Sequence, residues 1–168
     1  MPRDSKGATF LSAALALLVL FALAPGLPAG ADTSAPEKWK AAIDALKRND
    51  YETAYRELKP LAEDGNAAAQ YQLGLLYEGG KGVRKDLKEA AKWIREAAEQ
   101  GIADAQIVLS NKYQNGEGVR KDLTEAYIWA SLAANTGVRR AIELKNKLAK
   151  KLDPKQLAEA ERSLGDRR

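Results

Sequence analysis

The sequence predicts an all-α protein: an α/α superhelical solenoid of helix-turn-helix repeats, closed by a C-terminal capping helix. Three observations carry that expectation. The chain repeats itself at one fixed offset, with Ala69-Gln70 returning as Ala105-Gln106, Tyr77 as Tyr113, Trp93 as Trp129 and Gly101 as Gly137, each 36 residues on. Within each copy the apolar residues fall at three- and four-residue spacing, which is helical and not strand periodicity. A glycine-rich stretch separates the two apolar stripes of each copy, so each copy reads as a pair of short helices.

The N-terminus stands apart from this pattern. Arg3 and Lys6 precede a charge-free apolar run from Phe10 to Ala24, and Pro25, Gly26 and Pro28 then break any helix. Ala29-Gly30-Ala31 supplies the small-x-small sequence that a signal peptidase needs, so residues 1–31 are expected to be a signal peptide, cleaved after Ala31. The apolar run is shorter than the roughly 20 residues that span a bilayer. The expected location is therefore periplasmic or secreted, with no membrane span after cleavage. The chain has no cysteine, so it is expected to carry no lipid anchor, and its stability must come from packing alone.

Residues 32–36 read as a short linker. Residues 37–65 read as a leading hairpin whose first helix, about Glu37 to Arg48, sets Trp39, Ile43 and Leu46 on one face. Its second helix shares the register of the repeats, since Ala54, Leu58, Ala62 and Gly65 lie 36 residues before Ala90, Ile94, Ala98 and Gly101. The two full repeats are residues 66–101 and 102–137. In the first, Ala69, Leu73 and Tyr77 mark one helix, and Leu87, Ala90, Trp93, Ile94, Ala97 and Ala98 mark the other.

The block Gly82-Val83-Arg84-Lys85-Asp86-Leu87 recurs unchanged as Gly118-Val119-Arg120-Lys121-Asp122-Leu123. Asp86 with Glu89, and Asp122 with Glu125, have the spacing of a capping box, in which the aspartate accepts from free N–H groups at the start of a helix. Trp93 and Trp129 are expected to pack between helices, and Ser110 to stand in for the packing glycine Gly74. Residues 138–168 read as capping helices, about Val138 to Lys151 and Pro154 to Leu164, with Lys145 where the repeats have Leu73 and Leu109.

At this point the residues resemble a known family. The series Ala69, Leu73, Gly74, Tyr77, Gly80, Gly82, Val83, Asp86, Ala90, Trp93, Ala97, Ala98 and Gly101 is similar to the Sel-1-like repeat, a relative of the tetratricopeptide repeat. The second copy departs by Ser110 in place of glycine. The resemblance implies an α/α superhelix whose members commonly act as adaptors in protein complexes, many of them exported by bacteria. It also implies a rival reading, a hydrolase of cell-wall ligands, because cysteine-rich relatives are linked to penicillin-type ligands. This chain, without cysteine, departs from that branch.

The residues themselves argue against catalysis. With no histidine and no cysteine in 168 residues, the usual general base, thiol nucleophile and transition-metal ligands are missing. No catalytic residue, cofactor or metal is expected. The net charge of +4, from 27 basic and 23 acidic residues, is too small an excess to indicate nucleic acid. An alternative is weak contact with an anionic cell-wall or lipid surface through Arg84-Lys85, Arg120-Lys121 and Arg139-Arg140, which lie near one edge of the stack.

The preferred expectation is a protein or peptide partner held in a groove formed by the first helices. Its lining is expected from the positions that point away from Leu73 and Tyr77. These are Tyr71, Leu75 and Glu78 in the first repeat, and Asp104, Ile107, Asn111 and Gln114 in the second.

Overall fold

A computed structural model describes residues 34–166 of the chain. The expected signal peptide and its cleavage point after Ala31 lie outside the described residues. Eight helices follow one another: α1 (Ala35–Lys47), α2 (Tyr51–Glu63), α3 (Ala67–Gly79), α4 (Leu87–Glu99), α5 (Ala103–Asn115), α6 (Leu123–Ala134), α7 (Arg139–Ala149) and α8 (Pro154–Asp166). No strand occurs among the described residues. No helix among them is long and apolar enough to cross a membrane.

Each helix packs chiefly on its neighbours in sequence, pairing α1 with α2, α3 with α4 and α5 with α6, while the pairs stack through α2–α3 and α4–α5. This nearest-neighbour arrangement is that of a solenoid. At the C-terminal end α6 is covered by both α7 and α8, and Leu148, Ala160 and Leu164 join Ala126, Tyr127, Ile128 and Ala130 in one buried cluster. The cap is thus a helix pair folded over the last repeat.

The leading helix begins at Ala35, inside the stretch expected to be a linker, because Pro36 falls in the first turn, where a missing N–H leaves no bond unmade. Ala42 and Ala45 provide its fully buried contacts, with Trp39 and Leu46 packed at their side.

The aspartate caps form. The Asp86 carboxylate accepts from the N–H groups of Lys88 (2.8 Å) and Glu89 (3.1 Å), and Asp122 accepts from Thr124 (2.9 Å) and Glu125 (3.0 Å). The backbone N–H groups of the two aspartates are bonded to the preceding helix. The Asp86 and Asp122 N–H groups donate to the carbonyls of Tyr77 and Tyr113, at 3.0 and 2.9 Å. These bonds fasten each loop to the end of the preceding helix.

The glycine-rich loops also set the spacing between pairs. Gly82 lies against the first residue of α2, where a Cβ would meet the Tyr51 carbonyl oxygen at 2.1 Å; Gly118 lies against the first residue of α4, where a Cβ would meet the Leu87 oxygen at 1.8 Å. Both adopt positive φ, +68° and +73°. The repeated glycine therefore meets two demands at once, a left-handed turn and backbone-on-backbone contact with the previous pair.

Within a pair, Gly74 brings α3 close to α4, with an added Cβ 2.6 Å from Ile94 Cγ1 and 3.2 Å from the Ala90 oxygen. Ser110 takes the same place in the second copy, and its buried hydroxyl donates to the Ala126 carbonyl at 2.7 Å.

Candidate functional site

The first helices α3, α5 and α7 are joined across one face by polar side chains. Lys112 Nζ on α5 donates to Glu78 Oε1 on α3 at 2.5 Å, and Arg140 at the start of α7 pairs with Asp104 at the start of α5. Farther along, Lys151 Nζ donates to Gln114 Oε1 at 3.3 Å. Each bond spans about one repeat, as it must if successive first helices lie side by side.

Of the residues expected to line a groove here, Tyr71, Glu78 and Asp104 are brought together. Burial pushes the Tyr71 phenol above its ordinary value, the Asp104 and Glu78 carboxylates add to the rise, and the Arg140 guanidinium opposes it. Leu75, Asn111 and Gln114 are partly exposed on the same helices. Ile107 stands differently: only 8% exposed, it packs with Ala133 and Ala141 under the α6–α7 connection. A first helix inside a stack has a first helix on each side, so an apolar residue facing the following pair is covered by it. Tyr71 itself leans on the cluster of Ile94, Ala97, Ala105 and Leu109 while keeping its hydroxyl among charged groups.

Lys112 escaped the sequence reading, and Arg140, expected only as part of a basic edge, is paired with Asp104. Lys112 is 1% exposed and occupies the register position of Leu76, which is core in the first copy. A lysine at a repeated core position was the available signal: a buried charge persists only when paired, and Glu78 supplies the pair.

A second concavity lies between α4, α5 and α6. Arg95, Ala98 and Glu99 of α4, Gln106 and Tyr113 of α5, and Glu125, Trp129 and Leu132 of α6 line a cleft of about 590 Å³. The Arg95 guanidinium donates to the Tyr113 hydroxyl at 2.7 Å and lies over its ring, 5.6 Å from the centroid. Trp129, buried as expected of a packing residue, gives its indole N–H to Glu125 Oε2 at 3.1 Å. Among the described residues no three His, Cys, Asp or Glu side chains gather as metal ligands would.

The known proteins that resemble this chain agree with the geometry. The Sel1 repeat family matches residues 67–102 and 103–138. The chain carries two Sel1 repeats. Such repeats are typically used for protein–protein interaction and are generally non-catalytic scaffolds.

Among solved structures, the Sel1-repeat chain is similar to c5321, a protective antigen of uropathogenic Escherichia coli with an SLR fold, at 33% identity and a TM-score of 0.74; the match covers 79% of this chain and 29% of that one. It is also similar to a Sel1 repeat protein from Oxalobacter formigenes, at 36% identity and a TM-score of 0.58, over 62% of this chain and 41% of that one. Cysteine-rich protein B of Helicobacter pylori shares the fold at 24% identity and a TM-score of 0.53, over 68% of this chain and 99% of that one. The chain spans less than half the length of the first two. No curated protein matches it in sequence.

Proposed function

We propose that this Sel1-repeat chain is an exported, non-catalytic adaptor of the bacterial cell envelope that holds a protein or peptide partner along the face of α3 and α5. The observation that carries the reading is how the two copies differ. They share many of their core positions, including Ala69 and Leu73 with Ala105 and Leu109, and diverge at several positions where the first helices reach the surface: Leu75 against Asn111, Glu78 against Gln114, Ala68 against Asp104. A surface that varies over a repeated core is suited to one particular partner. Tyr71, with an apolar ring and a hydroxyl among charges, is its natural anchor.

Export has its own test. Expressed whole with a C-terminal tag, the protein should be recovered from the envelope or medium with Asp32 as its first residue; intact chain in the cytoplasm alone would refute export. For the partner, the mature chain, residues 32–168, is used to capture proteins from the envelope fraction, with a Tyr71→Ala/Asn111→Ala variant as control. The expected result is a protein held by the parent and lost by a variant whose circular dichroism is unchanged.

A second reading has one observation in its favour. Lys88, Lys92 and Arg95 on α4 line a shallow cleft beside Gly118 and Val119, with exposed Arg120 and Lys121 next in sequence. Binding to anionic vesicles that disappears at high salt, with no captured protein, would favour this surface over the first-helix face.

A further inference from the structure

We infer that the cleft between α4, α5 and α6 is a second binding site, distinct from the first-helix face, and that it takes a cationic N–H donor on an aliphatic stem, the side chain of a lysine or arginine. The inference starts from a difference between the two repeats. In the first, both ends of the buried Gln70 amide are used: Nε2 donates to the Ala62 carbonyl (3.1 Å) and to Glu96 Oε2 (3.2 Å), while Oε1 accepts from Gln100 Nε2 at 2.7 Å. In the second, Gln106 repeats the backbone bond, Nε2 to the Ala98 carbonyl at 3.0 Å. The other two partners are gone, because Leu132 stands at the position of Glu96 and Thr136 at that of Gln100.

Among the described residues Gln106 Oε1 is consequently buried with no hydrogen-bond partner, in a residue only 7% exposed. An orphaned acceptor of this kind carries the desolvation penalty of the group with no bond in return, and buried polar groups are left so only rarely. Here the residue that carries it lines a cleft large enough for a side chain and its stem.

The hydrogen-bond inventory of the lining selects the ligand. Gln106 Oε1 and the Glu99 carboxylate are acceptors, as is the Glu125 carboxylate, one oxygen of which already takes the Trp129 N–H, and the one charged donor of the lining, Arg95, is engaged with Tyr113. Two carboxylates against one guanidinium leave the lining net negative. Half-buried Leu132 and the exposed edge of Trp129 offer apolar surface for an aliphatic stem. A ligand with several N–H donors and a positive charge satisfies all of these features; a carboxylate or a carbonyl-only group satisfies none of the acceptors.

The test uses the whole chain, labelled with ¹⁵N and titrated in two-dimensional NMR with the N-acetyl methylamides of lysine, arginine, norleucine and glutamate. Lysine and arginine derivatives should shift the Gln106 side-chain amide and the Trp129 indole N–H saturably. The norleucine derivative, of similar shape without charge or donors, should not. Equal binding of norleucine, preferred binding of glutamate, or no saturable shift with any probe would each overturn the proposal.

Thr136→Gln restores the partner that Gln70 has in the first repeat, at an exposed position where misfolding is not at issue. It should weaken lysine or arginine binding by about tenfold or more, since one lost hydrogen bond to a charged group is worth about 1.5–3 kcal/mol. Leu132→Glu/Thr136→Gln, which recreates the whole first-repeat arrangement, should abolish it. Undiminished affinity in Thr136→Gln would refute the role given to Gln106.

Discussion

Replacing Gly118 by alanine tests whether the glycine-rich loop sets the distance between repeats or merely turns the chain. The new Cβ would lie 1.8 Å from the Leu87 carbonyl oxygen, where a carbon–oxygen contact of about 3.3 Å is the ordinary limit. The loop must therefore retreat from the start of α4 by about 1.5 Å. Gly101 provides the control, because it too has positive φ, +89°, but nothing within 4 Å of its would-be Cβ.

Both substitutions force an L-residue into the left-handed region, costing about 1–2 kcal/mol, and both reduce the freedom of the unfolded chain equally. Only Gly118→Ala adds overpacking, worth about 1–3 kcal/mol in a well-packed site. Gly118→Ala should thus be less stable than Gly101→Ala by about 2 kcal/mol, or roughly 8 °C in Tm for a domain of this size. Urea unfolding followed by circular dichroism reads this directly. A smaller m-value in Gly118→Ala alone would show the second repeat parting from the first. Equal midpoints for the two variants would refute the reasoning, since the contact with α4 would then carry no energy.

Two further perturbations probe the first-helix face and the core. Trp129→Ala removes a buried ring and should cost about 3–5 kcal/mol, whereas Tyr71→Ala, at a partly exposed position, should cost much less in stability and more in partner binding; equal melting losses would remove Tyr71 from the proposed groove. Glu78→Gln strips the buried Lys112 of its carboxylate and should destabilise by about 3 kcal/mol, but Lys112→Leu, the residue type the first repeat has there, should be neutral or stabilising by thermal melting. A loss in Lys112→Leu as large as that in Glu78→Gln would mean that the ion pair itself, and not the burial of an unpaired charge, holds α3 to α5.

Much of the fold could be read in the sequence because a solenoid repeats its own solution. One offset fixed the register of Leu73 with Leu109, Trp93 with Trp129 and Gly82 with Gly118; both leucines are fully buried, both tryptophans are buried, and both glycines lie against the first residue of a preceding second helix. The helix starts at Leu87 and Leu123 follow from the aspartates that cap them. The candidate groove was less legible. Tyr71, Glu78 and Asp104 do converge, but Ile107 is covered by α7, because helical periodicity states which way a residue points and not what lies there. Lys112 was signalled only by its place in the repeat register, and the pairing of Arg140 with Asp104 is set by tertiary spacing that no local pattern contains.

The departures from the repeat are where structure adds most. A substitution between two copies of one packed unit leaves a mismatch, and each mismatch must be resolved by a new partner or left standing. Ser110 in place of Gly74 resolves its hydroxyl on the Ala126 carbonyl. Lys112 in place of Leu76 resolves its charge on Glu78. The exchange of Gln100 for Thr136 removes the donor to the amide oxygen and strands Gln106 Oε1 instead, in a residue of a cleft already lined by carboxylates. Two mismatches closed within the chain set off the ones left open among the described residues, Ser131 Oγ, in place of Arg95, and Gln106 Oε1; of these only Gln106 belongs to the lining of the cleft, where a group from another molecule has a bond to complete.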